Sequence, residues 1–175
     1  QARSLAHAAA TQSAATVSSD NALMVLGRLG TRTGTDPTAA AEAWRVAEPS
    51  GEPQRVLICA AGLAEAAWTR DDPDDVRRHV DAVWALAVER GGPWYLGELL
   101  WWLHCAGERR TLIQRGAAAP HGVRGGRAVA GSSTVPEPVA EPFALMLAGD
   151  AAAAAASWEA IGNPFWAALA RAASD

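Results

Sequence analysis

A capping residue followed by proline recurs along this chain, at Asp36-Pro37, Asp72-Pro73 and Asn163-Pro164. That punctuation limits what the chain can fold into more than any other feature. Asp or Asn accepts hydrogen bonds from the orphan N–H groups of a new helix, and proline suits the first helical position. Glu52-Pro53, Gly92-Pro93 and Glu141-Pro142 mark further starts with weaker caps, while Gly91, Gly107, Gly149 and Gly162 stand where helices should stop. Between these marks the sequence predicts helices over 21–32, 37–47, 53–69, 73–89, 93–106, 142–148, 151–161 and 164–173, with a further helix over 2–16. No run shows strand-like alternation with turn chemistry. The apolar stretch Val56 to Ala67 is too long and too rich in alanine for a strand. The expected fold class is all-α, with eight to nine helices.

The helices come in pairs joined by tight turns, and 36 residues separate Asp36 from Asp72. Paired helices with a period of about 34 residues are the pattern of tetratricopeptide repeats. Leu23, Leu26 and Gly27, followed by Ala39, sit at the spacing of that repeat's leucine, small-residue and alanine positions. The second unit is looser. A strict period brings Asp75 to the alanine position, and a shift of one residue brings Val76 there instead. The expectation is a single helical-repeat domain over 1–175, its hairpins stacked into a right-handed superhelix.

Composition removes several function classes. All 15 basic residues counted as Lys+Arg are arginines, so neither a Walker A lysine nor a lysine Schiff base is available. A net charge of −4 gives no global attraction to nucleic acid or acidic membrane. Cys59 and Cys105 lie far apart in apolar runs, which fits reduced thiols and a cytoplasmic setting. No apolar run approaches the roughly 20 residues that span a bilayer. The first residue is Gln1 rather than Met, so the chain is expected to be a piece of a longer one.

The last third carries the most specific pattern: Pro142-Phe143-Ala144-Leu145, Ala148-Gly149-Asp150, Ala154, Ala155, Trp158, Gly162, Pro164-Phe165 and Ala168. It resembles the tail of the tetratricopeptide-like region in large ATP-binding LuxR-type bacterial transcriptional regulators, similar in layout to the maltose regulator. Gly97-Glu98-Leu99, Trp102-Leu103 and Ala106-Gly107 look like the segment before that tail, and Trp68 with Asp72 matches the preceding hairpin less distinctly. The resemblance covers 20–107 and 139–173. It implies the effector-sensing, protein-binding middle module of a cytoplasmic regulator. ATP and DNA would then be bound by separate domains, and the module itself would hold no cofactor. One departure stands out. Where the family has a short Pro-rich connection, the stretch Glu108 to Ala140 is long, rich in Arg and Gly, and without periodicity; it reads as a flexible loop or an insertion.

The remaining constellations each have a plain alternative. Trp94 and Trp101 are seven apart and share a helix face, with Trp102 beside it and Trp68 and Trp84 on the neighbouring hairpin. They could line an aromatic groove for a small effector or a peptide, although aromatics at helical spacing more often fill cores. Trp94, Trp101 and Trp102 are the candidate binding residues. Arg109, Arg110, Arg115, Arg124 and Arg127, with His121 among them, could touch phosphate, but a solvated loop explains them better. Asp71, Asp72, Asp74 and Asp75 lack the glycine and distal glutamate of a calcium loop and suit a positive helix end. His104 and Cys105 are adjacent, so their side chains diverge by roughly 100° around a helix. Neither Glu98 with Glu108 nor any serine-hydrolase or zinc-protease motif suggests catalysis. The sequence therefore predicts a binding module with no catalytic residues and no metal site. A stand-alone tetratricopeptide adaptor for a peptide partner, and an all-α enzyme using His104 and the Asp cluster, are the rival readings.

Overall fold

The computed structural model describes residues 17–35, 38–107 and 139–173, with side chains from Asn21 onward. The helix expected over 2–16, the Asp36-Pro37 cap and the stretch 108–138, with its arginines and His121, lie outside the described residues. Among the described residues every regular element is helical: α1 (Val17–Thr33), α2 (Thr38–Ala47), a 3-10 turn (Glu48–Ser50), α3 (Pro53–Thr69), α4 (Pro73–Arg90), α5 (Pro93–Cys105), α6 (Glu141–Ala148), α7 (Ala151–Ile161) and α8 (Pro164–Ala172). The all-α class is as the sequence predicts.

The punctuation works by hydrogen bonding. Asp72 Oδ1 accepts from the Asp75 N–H at 3.0 Å, Asp150 Oδ1 from Ala153 at 3.1 Å, and Asn163 Oδ1 from Trp166 at 3.3 Å. Each satisfies a donor that an open helix end would leave orphaned. Gly149 and Gly162 stop α6 and α7 in the left-handed conformation, at φ 82° and 81°. Gly91 does not: it is extended, at φ −74°. The chain runs directly through Gly92 into Pro93, and the residue before a proline is held extended. Glu141 is already inside α6, whose cap position is Ala140.

The chain, expected as one domain, divides into two compact units, Gln1–Gly91 and Gly92–Asp175. In the first, α1 and α2 form one hairpin and α3 and α4 the next. Helix α3 packs on both α1 and α2, as well as on α4. Its buried residues accordingly run almost all round, from Val56 and Leu57 through Ala60, Ala64 and Ala67, the pattern of a helix enclosed by neighbours. Helix α4 buries only the stripe Val76, Val80, Val83 and Ala87. Where α1 meets α2, a Cβ on Gly27 would overlap the backbone of Ala40. The close partner is thus Ala40, buried, and not Ala39, which is half-buried. Ala40 and Ala47 of α2 stand 36 residues before Val76 and Val83 of α4, and all four are buried.

In the second unit α5 packs on α6, α6 on α7, and α7 on α8. Helix α5 is buried continuously from Leu96 to Leu103. The chain re-enters beside it: the Ala140 N–H donates to the Pro93 carbonyl at 3.0 Å. A Cβ on Gly97 would lie 2.6 Å from the Phe143 ring, so the bare backbone at Gly97 is what lets α6 dock closely.

Candidate functional site

The second unit gathers its aromatic side chains into one cluster. Its helices α6, α7 and α8 are short, with 8, 11 and 9 residues, so each presents only two or three inward positions. Each places one large ring inward, Phe143, Trp158 or Trp166, beside smaller buried residues such as Ala154 and Ala167; one aromatic side chain buries roughly 150–250 Å². Trp158 of α7 and Trp166 of α8 stack with centroids 5.5 Å apart and planes 19° apart. Phe143 stands edge-on to both at 4.9 Å. Trp102 of α5 tilts against Trp166 at 5.5 Å. The indole N–H of Trp158 donates to Met146 Sδ at 3.2 Å, which gives a polar atom a partner inside an apolar core.

Trp94 completes the cluster from outside. It sits in the first turn of α5, 5.8 Å from Trp158 and 6.3 Å from Phe143, and is 47% exposed. Trp101 and Trp102 are buried, at 2% and 0% exposure. Trp101 makes its ring contact elsewhere, stacked on His104 at 5.4 Å. The three tryptophans singled out by spacing therefore occupy three settings. Trp94 is a surface rim over an aromatic floor, Trp102 belongs to that floor, and Trp101 lies in the packed interior. What the arrangement offers a ligand is the free face of Trp94, suited to stacking or apolar contact. Such ring contacts contribute about 0.5–1.5 kcal/mol each beyond the area they bury.

The other constellations are placed as well. Asp72 caps α4, Asp74 pairs with Arg77 at 2.6 Å, and Asp75 accepts from Arg70 at 2.8 Å and also pairs with Arg78. Burial pushes the Cys105 thiol up to about 12, so at neutral pH it is a protonated, weakly reactive group. Among the described residues no three His, Cys, Asp or Glu side chains converge as a metal site, and no helix is long and apolar enough to cross a membrane. An open cleft of about 430 Å³ lies along α7 and α8, lined by four alanines, Glu159 and Arg171.

Two features escape a reading of spacing alone. Trp158 and Trp166 stand four residues either side of Gly162, and in a helical hairpin residues equidistant from the turn face each other. That symmetry was available as a signal. The second is a buried carboxylate in the first unit. Glu65, 1% exposed, accepts from the Arg32 guanidinium through both oxygens, with Arg28 Nε at 3.8 Å. It is the lone acid inside the apolar run of α3, and its partners come from α1, a hairpin away.

No family model matches the chain, and neither a curated protein nor a solved structure matches it.

Proposed function

We propose that the chain is a partner-binding helical-repeat module, the effector-sensing middle region of a LuxR-type multidomain transcriptional regulator in the cytoplasm. The observation that carries this reading is the first unit. It holds two successive hairpins, and the first helix of the second packs on both helices of the first. Stacking of that kind extends by adding hairpins and produces long binding surfaces. The sequence pattern from Pro142 to Ala168 adds the regulator context. In this reading the Trp94 face takes a small effector or an apolar peptide side chain. Binding there biases the regulator between a closed and an assembled form. ATP and DNA act on other domains of the same protein.

The test is in the reading frame that contains the chain and in the protein it encodes. A P-loop upstream and a helix-turn-helix downstream are expected. In that full-length protein, Trp94→Ala should weaken transcription from a reporter carrying its target promoter while leaving folding intact. A start codon directly before Gln1 with a stop after Asp175 would overturn the regulator reading in favour of a stand-alone adaptor. An unchanged reporter response would remove Trp94 from the binding surface.

A further inference from the structure

The turn joining α3 to α4 concentrates charge on one carboxylate. Asp75 is 11% exposed by side chain. Its Oδ2 accepts from Arg70 Nη2 at 2.8 Å, and its Oδ1 accepts from Arg78 and lies 3.2 Å from His79 Nε2. Arg70 also donates from Nη1 to the Ala66 carbonyl at 2.9 Å. Asp75 therefore ties the first turn of α4, through Arg70, to the last turn of α3. His79 lies one turn further along α4, and only 19% of its side chain is exposed.

We propose that this turn is a pH-sensitive joint, held closed by a neutral His79 docked on Asp75 and loosened when that imidazole takes a proton. With the proton on Nε2, the neutral ring donates to Asp75 and adds no charge. Protonation would place a third cation around a single carboxylate that already serves two guanidinium groups. The ionisable groups acting on the ring are Asp75 and Arg78 of its own helix and Arg70 at the end of α3. Burial is the largest influence and holds the imidazole below its ordinary range. Asp75 pulls the other way, and Arg78 and Arg70 add to the lowering. The charged ring gains most by leaving for water. When it leaves, Asp75 loses one of its three basic partners and the joint loses part of its cover. The sign follows from linkage. The folded chain binds this proton less readily than the unfolded chain. The stabilisation is therefore complete above the ordinary histidine value of about 6.5 and declines as pH falls below it. The inference does not depend on the regulator reading.

Amide hydrogen exchange on the whole chain tests it, at about pH 7.5 and about pH 5.5, corrected for intrinsic exchange. In the wild type, protection of the amides from Asp71 to Val76 should fall several-fold at the lower pH. In His79→Gln, whose amide can still donate to Asp75 but does not titrate, protection should be equal at both. The same loss in both proteins, or no loss in the wild type, overturns the proposal. A ring titration by NMR gives a second reading on the unmodified chain. An apparent value for His79 below that of an exposed histidine supports the joint, and a value at or above it overturns it.

Discussion

The two units obey the same helix-hairpin rules and fill their interiors with opposite materials. In the first, three of the four helices have 17 or 18 residues, and small side chains line the close contacts. Gly27 lies against the backbone of Ala40, and Ala43, Ala47, Ala60, Ala64 and Ala67 are all nearly or fully enclosed. Its tryptophans are peripheral: Trp68 is exposed, and Trp44 and Trp84 are half-buried. The second is built from short helices and rings, with Trp102, Phe143, Trp158 and Trp166 at its centre. Helix length explains the difference. A helix of 17 residues offers several inward positions and can approach its neighbour closely along all of them. A helix of eight or nine offers two or three, and here one of them on each short helix carries a ring. The first unit also encloses a charge, Glu65 with Arg28 and Arg32. A buried ion pair adds little net stability but penalises arrangements that would leave the carboxylate alone.

The contrast can be broken at the tryptophans first. Trp166→Ala should destabilise the chain by about 4 kcal/mol, the usual loss for a fully enclosed aromatic. Trp68→Ala, at the edge of the first unit, should change stability by less than about 1 kcal/mol. Urea unfolding followed by circular dichroism measures both. Equal losses would mean that the units do not differ in where they keep their aromatic area. Glu65→Ala comes next, at about 3 kcal/mol, because two guanidinium groups would lose the carboxylate they surround. The smaller end of that range is favoured, since both arginine side chains retain some solvent. A loss as small as that of an exposed pair would show that the charges are not structural. The finest comparison is between the two close approaches. Gly27→Ala presses a methyl group into backbone and should cost about 2–3 kcal/mol. Gly97→Ala presses one against the Cβ and ring of the enclosed Phe143, a side chain that can yield further than backbone, and should cost about 1–2 kcal/mol. The reverse order, in the same urea series, would mean that the aromatic cluster is the more rigid of the two interiors.

Helix starts and stops were legible because they depend on local chemistry. Asp72, Asp150 and Asn163 each bond to an amide three residues on, a relation that the sequence displays directly. The pairing of helices was legible from the same marks. The register within a pair was not. The tetratricopeptide spacing pairs Gly27 with Ala39, but the residue at the close approach is Ala40. The candidate site was only partly visible. Seven-residue spacing places Trp94 and Trp101 on one face of α5, yet it does not say which end of that face a neighbour covers. Phe143 and Trp158 meet α5 near Trp94 and leave half of it in solvent, while Trp101 is buried and stacks on the half-buried His104. Glu65 was invisible as a paired group for a related reason: its partners are 33 and 37 residues earlier, and only the stacking of hairpins brings them near.

The bond from the Ala140 amide to the Pro93 carbonyl has a consequence for how this chain tolerates change. It pins the start of α6 to the start of α5. A closure of this kind depends only weakly on the length of chain between its ends, since doubling a loop adds only about 0.6 kcal/mol of closure entropy. Residues added between Gly107 and Val139 are therefore expected to leave the pairing of α5 with α6 in place. That makes the connection a natural place for relatives of this chain to vary, and for an experimenter to attach a label.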